Sequence, residues 1–192
     1  MEKRWIKAAT VLRPSLEVCG LRLLPFCLRH RVALEAIDSP VVNKDKLMSA
    51  RHLVAAARIL STYSIDEVAK PATLRDKFWV SRLRFNQDLL VSETAKLVAY
   101  LNTQANWPRF WEKDAGGNKA NIPWQLVVVA SLVRNGCTLE EAWTMPEAEA
   151  IWMHTAHLAA LGADVSVVSD IEWEAMQRHK AAIAKNENNP RN

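Results

Sequence analysis

Apolar residues recur at three- and four-residue intervals along most of this chain, the spacing that gathers them on one face of a helix. Leu47, Leu53, Val54, Ala57 and Leu60 form one such stripe and predict a helix over 46–61. Pro25 precedes a second, over 28–37, which Ser39-Pro40 ends, because a residue before proline is driven from helical angles. Helices are also expected over 74–85 and 89–101. Pro123 suits a first helical position, and the helix it opens runs to Asn135, with Gly136 at the left-handed cap. A short helix over 139–143 follows. Pro146 then opens a longer one carrying Ile151, Trp152, Leu158 and Leu161, closed by Gly162. Val18-Cys19-Gly20-Leu21-Arg22-Leu23 partly alternates around a glycine, as a short hairpin does. A short extended piece is expected over 165–168 and a final helix from Ser169 to about residue 185.

Helix-start signals support this reading. Ser64 with Glu67, Thr73 with Asp76, Thr138 with Glu141, Thr144 with Glu147 and Ser169 with Glu172 share the three-residue capping-box spacing. In that box the hydroxyl accepts a free backbone N–H and the acidic side chain returns to the cap's own N–H. The expected fold is therefore mainly α: a compact multi-helix domain over 1–185, with one short β-hairpin near the N-terminus. Asn106-Trp107-Pro108-Arg109-Phe110-Trp111 and the turn-forming Ala115-Gly116-Gly117-Asn118 mark a candidate internal boundary near 106–121. Residues 186–192 read as a disordered tail.

Composition narrows the class. The chain has 192 residues, 49% of them hydrophobic, which is ample for a core and unlike a disordered protein. Five glycines are too few for a Gly-rich β protein. Cys19, Cys27 and Cys137 cannot all pair and none lies in a CxxC, so a reducing compartment is expected. No apolar run reaches the roughly 20 residues that span a bilayer, and Met1-Glu2-Lys3-Arg4-Trp5 has no apolar segment behind it, so neither a membrane partner nor a secretory signal is expected. The net charge of +4 is uneven: +6 over 1–60, +1 over 61–115 and −3 over 116–192. Such asymmetry suits self-association or a nucleic acid, but no block of like charges interleaves with aromatics, so the nucleic-acid footprint is weak.

Chemical motifs are sparse. His154 and His157 share a helix face and, with Glu147 or Glu149, have metal-ligand types, but no second ligand cluster accompanies them. Cys137 sits near a helix start without an assignable base. Neither GxxxxGK[ST] nor GxGxxG occurs. The helix–turn–helix arrangement around Gly136 would present Leu139-Glu140-Glu141-Ala142-Trp143 to DNA, an acidic segment that phosphates repel. No catalytic, cofactor-binding or metal residue is therefore assigned, and no cofactor is expected. Eight tryptophans are the more informative feature. Most belong in a core, but Trp is also enriched at binding hot spots. Trp107, Phe110, Trp111, Trp124, Trp143 and Trp152 are the candidate partner-binding residues.

Two stretches resemble tail assembly chaperones of tailed bacteriophages and prophages. The clearer one runs from Ile122-Pro123-Trp124 to Arg134-Asn135-Gly136 and through Thr138-Leu139-Glu140-Glu141-Ala142-Trp143-Thr144-Met145-Pro146. It continues by Ala150-Ile151-Trp152 and Leu161-Gly162-Ala163 to Ser169-Asp170-Ile171-Glu172. The other comprises Leu21-Arg22-Leu23-Leu24-Pro25-Phe26 and Leu34-Glu35-Ala36-Ile37-Asp38-Ser39-Pro40. Together they cover less than half the chain and carry helix-packing patterns. The resemblance implies a non-enzymatic virion assembly factor that binds apolar helical segments of the tape measure protein, whose exposed stripes would otherwise aggregate. A structural phage component such as a connector or tail-completion subunit is the alternative. A nucleic-acid-binding accessory protein, supported only by the basic first 60 residues, comes third.

Overall fold

Six of the described helices begin where a side chain takes a free backbone N–H, and two begin at a proline. The computed structural model describes residues 3–10, 16–43, 45–110 and 122–187. In chain order these form α1 (Lys3–Ala9), β1 (Glu17–Val18), β2 (Leu21–Arg22), α2 (Leu28–Ala36), α3 (Ala50–Leu60) and α4 (Ile65–Ala69). They continue with α5 (Leu74–Phe85), α6 (Gln87–Gln104), α7 (Trp124–Arg134), α8 (Leu139–Thr144), α9 (Glu147–Ala160) and α10 (Asp170–Glu187). The fold is mainly α with one two-stranded antiparallel sheet, as the sequence predicts. Reciprocal boxes open α5, where the Asp76 N–H donates to Thr73 at 3.2 Å and the Thr73 N–H to Asp76 at 2.7 Å. The same pairing opens α8, through Thr138 and Glu141 at 3.2 and 2.8 Å, and α10, through Ser169 and Glu172 at 3.3 and 2.8 Å. Ser49, Ser64 and Asn86 cap α3, α4 and α6 through the N–H groups of His52, Glu67 and Leu89.

Two expected boxes do not close: Ser64 takes the Glu67 N–H but its own N–H donates to the Thr62 hydroxyl at 3.0 Å, and the Thr144–Glu147 box is absent altogether. Thr144 donates instead to the Glu140 carbonyl at 2.8 Å, Pro146 stands at the start of α9, and the Glu147 carboxylate turns to Arg31. Other expectations shift. The helix predicted over 46–61 starts at Ala50, which leaves Leu47 outside its stripe and 91% exposed. No strand forms over 165–168; Val167 makes an isolated bridge with Phe110, and the Val168 N–H reaches the Arg109 carbonyl at 2.7 Å. Helix α1 has no counterpart in the sequence reading. Residues 186 and 187 belong to α10, whereas 188–192 and, of the candidate boundary near 106–121, residues 111–121 lie outside the described residues.

The hairpin turn follows from local chemistry. Cys19 and Gly20 have φ of 50° and 66°, the positive pair that a two-residue type I′ connection requires. The Cys19 N–H donates to Glu93 at 2.7 Å, which pins the turn to α6.

Two groups of apolar side chains fill the interior. The larger joins the hairpin to α2, α3, α5 and α6 through Val18, Leu23, Leu34, Leu53, Leu60, Leu83, Leu97 and Tyr100. Helix α3 supplies the largest share: Ala50, Leu53, Val54, Ala57 and Leu60 repeat at the intervals that bury one face. The smaller joins Leu28 to Val128, Val129 and Leu132 of α7, Ala142 of α8 and Ala150 of α9. Helix α2 thus serves both groups, with Leu34 in one and Leu28 in the other. Polar contacts fasten the same junction. Arg29 makes a two-pronged pair with Glu140 at 2.5 and 2.7 Å, and the Glu147 N–H donates to the Phe26 carbonyl at 2.7 Å.

Candidate functional site

A concavity of about 600 Å³ lies between α3 and α5. Arg51, Val54, Ala55 and Arg58 follow the helical repeat along α3, and Asp76, Lys77, Val80, Ser81, Arg84 and Phe85 follow it along α5. Val68 and Ala72 close one side and Ile37 approaches from the end of α2. The floor is therefore aliphatic and the rim basic. Phe85 is 90% exposed at one end, an aromatic ring with almost no contact of its own.

Arg58 is spoken for within the fold. Its guanidinium donates to the carbonyls of Glu67 at 2.6 Å, Lys70 at 2.7 Å and Pro71 at 3.3 Å, and approaches the Asp76 carboxylate at 3.5 Å. It thereby ties the end of α4 and the following turn to α3. Asp76 is also held by the Thr73 N–H. Arg51, Lys77 and Arg84 differ: all three are exposed, and none has an ion-pair partner among the described residues. The rim therefore presents three positive charges that no ion pair among the described residues compensates, beside an apolar floor.

The candidate aromatic residues divide among several places. Trp107 and Trp124, with Phe26, surround the Arg31 guanidinium, whose carbon lies 5.7, 5.6 and 5.3 Å from the three ring centroids. Arg31 also holds Glu147, which is 1% exposed, through two hydrogen bonds, one at 2.9 Å. Burial raises the Glu147 carboxyl above its ordinary value, while hydrogen bonds from Arg31 and Trp107 and the Arg31 charge oppose that rise. The arrangement is a capped ion pair joining α2 to α9. Trp152 turns to Trp5, ring centroids 6.2 Å apart, and its indole N–H donates to the Asn106 carbonyl at 2.9 Å. Trp143 packs half-buried against the smaller core. Phe110 and Trp124 line an apolar cleft of about 320 Å³ with Val127, Ile151, Leu158 and Val165. Trp111 lies outside the described residues.

His154 lines that cleft, and its Nδ1 is shielded from solvent with no hydrogen-bond partner among the described residues. Burial, followed by the nearby His157 charge, lowers its pKa. The described residues contain no group of three or more His, Cys, Asp or Glu that could hold a metal ion. Cys19 and Cys27 are buried, and burial pushes their thiols up to about 12 and about 11, far from the range of a reactive thiolate. Cys137 is half-buried. No helix among the described residues is long and apolar enough to cross a membrane.

Sequence reasoning passed over the α3–α5 groove. A signal was present in α5, where Leu74, Phe78, Trp79, Val80, Leu83 and Phe85 surround the helix rather than form one stripe. Leu83 is fully buried and Trp79 and Val80 pack against the larger core, whereas Leu74, Phe78 and Phe85 are exposed, apolar surface beyond what this fold uses. No family model matches the chain, and neither a curated protein nor a solved structure matches it significantly.

Proposed function

We propose that this chain is a non-enzymatic assembly factor of a tailed phage or prophage, a tail assembly chaperone that holds apolar helical segments of the tape measure protein in the host cytoplasm. The observation that carries the reading is the open groove between α3 and α5, apolar along its floor and flanked by Phe85. A helix laid in a groove is a recurring mode of recognition, anchored by apolar residues at i, i+3 or i+4, and i+7. The similarity of residues 122–172 to such chaperones supports the same reading from a different part of the chain.

Co-expression tests it. A tape measure protein that aggregates alone should remain soluble and co-purify with this chain, and Phe85→Asp should abolish both effects without unfolding the protein. Failure of the unmodified chain to raise solubility or co-purify refutes the chaperone role. A structural subunit such as a connector is the second reading, favoured by the +6 charge of residues 1–60 against the −3 of 116–192, which suits head-to-tail contacts. Its presence in finished particles separates the two, because a chaperone leaves before the tail is complete.

A further inference from the structure

The α3–α5 groove has a defined length as well as a defined charge. From Arg51 to Ile59 on α3, and from Asp76 to Phe85 on α5, its walls run about 12 and 13.5 Å at 1.5 Å per residue. That length matches two turns of an α-helix, enough for an i, i+3 or i+4, i+7 set of apolar side chains. The floor offered to such a seam is Val54, Ala55, Ile59, Val68 and Val80. Flanking residues of a docked helix would face the rim.

On that rim Arg51, Lys77 and Arg84 are positive, exposed and without an ion-pair partner among the described residues. The single acidic lining residue, Asp76, is already engaged by Arg58 and by the Thr73 N–H. We infer that the groove selects an amphipathic helix whose apolar seam is flanked by acidic residues. The inference rests on the reading of the groove as a helix-docking site and adds the charge of the helix it takes. Lysine-flanked helices of the same apolar pattern meet three like charges at the rim and are disfavoured. A nucleic acid would also meet the basic rim, but it has no apolar seam to place against the aliphatic floor, so the helix fits more of the site.

The test uses the full chain and three fluorescein-labelled 18-residue peptides. One has a leucine seam flanked by glutamates, one the same seam flanked by lysines, and one the glutamate composition shuffled so that no seam exists. Fluorescence anisotropy at 50 mM salt should show the first bound about tenfold more tightly than the second, a difference of about 1.4 kcal/mol. At 500 mM salt that gap should contract, because exposed charges are screened. The shuffled peptide should bind more weakly than the first at both salt concentrations. Reversing the rim with Arg51→Glu and Arg84→Glu should invert the preference. Both side chains are exposed, so the circular dichroism melt of that variant should stay close to the wild type.

Equal binding of the glutamate and lysine seams overturns the charge selection and leaves the groove as a helix site. Failure of both overturns the helix-docking reading and this inference together. Equal binding of the shuffled peptide reduces the effect to net charge and overturns it as well. Displacement of the glutamate peptide by duplex DNA at equal concentration would assign the rim to phosphates. A concentration-dependent oligomer that dissociates in the Arg51→Glu, Arg84→Glu variant would assign the groove to a second copy of the chain. Either result overturns the proposal.

Discussion

Replacing Arg31 by alanine should unmask the cost of burying Glu147. The carboxylate is 1% exposed and the Arg31 side chain 19% exposed, so one partner is fully withdrawn from water and the other only partly. Breaking a buried pair by deleting one member typically costs about 3 to 5 kcal/mol, because the survivor keeps its desolvation penalty. The partial exposure of Arg31 places this case near the lower end, about 3 kcal/mol. For a chain of this size that corresponds to a fall of roughly 6 to 12 °C in Tm. The cost should also depend on pH. Without Arg31 only the Trp107 hydrogen bond still opposes burial, so the folded-state pKa of Glu147 climbs further above its unfolded value of about 4.3. A carboxyl whose pKa is raised by folding binds more protons in the folded state, so stability is recovered as pH falls through that raised value. The difference between variant and wild type should therefore be largest near pH 7 and shrink toward pH 4.5. Urea unfolding at a series of pH values measures it, and groups common to both proteins cancel in the difference. A further variant, Arg31→Met with Glu147→Leu, should recover most of the loss, since no charge then remains buried. A cost below about 1 kcal/mol at pH 7, or one that does not change with pH, would refute the reasoning.

Three further outcomes follow from the same geometry. Leu60→Ala should cost about 2 to 5 kcal/mol in urea unfolding, because Leu60 is fully buried in the larger core, whereas Leu47→Ala, at an exposed position, should stay within about 0.5 kcal/mol. The His30 imidazole should remain neutral down to about pH 4 in an NMR titration, since burial, followed by the Arg29 charge, lowers its pKa and outweighs the opposing contact of its Nε2 with the Thr62 carbonyl at 2.9 Å. Its folded value lies below the unfolded one of about 6.5, so stability is present above pH 6.5 and is lost as pH falls toward 4; a His30→Gln variant should show a shallower loss. Gly20→Ala should destabilise by about 1 kcal/mol or more, because φ is +66° and the added Cβ would lie 3.0 Å from the Arg75 guanidinium; an unchanged urea midpoint would contradict this.

The readable parts of the fold were those decided within one or two turns of chain. Thr73 with Asp76, Thr138 with Glu141 and Ser169 with Glu172 cap as their spacing predicts, because both partners of each bond lie three residues apart. Thr144 with Glu147 has the same spacing and fails, because Arg31 offers the carboxylate a charged partner that a backbone N–H cannot match. Trp107 and Trp124 stood out as candidates, but what brings them together is the guanidinium of a residue on α2, which no local pattern of aromatics contains. Leu47 looked like part of the α3 stripe until Ser49 took the capping position and left it outside.

By itself, the sequence determined the helical class, the hairpin turn at Cys19-Gly20, most helix starts and the inward face of α3. All of these follow from backbone geometry and from side chains a few residues apart. Tertiary structure alone decided that α2 would join two apolar cores, that Glu147 would pair with Arg31, and that α3 and α5 would leave an apolar groove with a positive rim. Those outcomes depend on which face of one helix meets which face of another. Hydrophobic periodicity marks the faces but carries no information on their pairing, so the surface on which the proposed function rests becomes visible only when the two helices stand side by side.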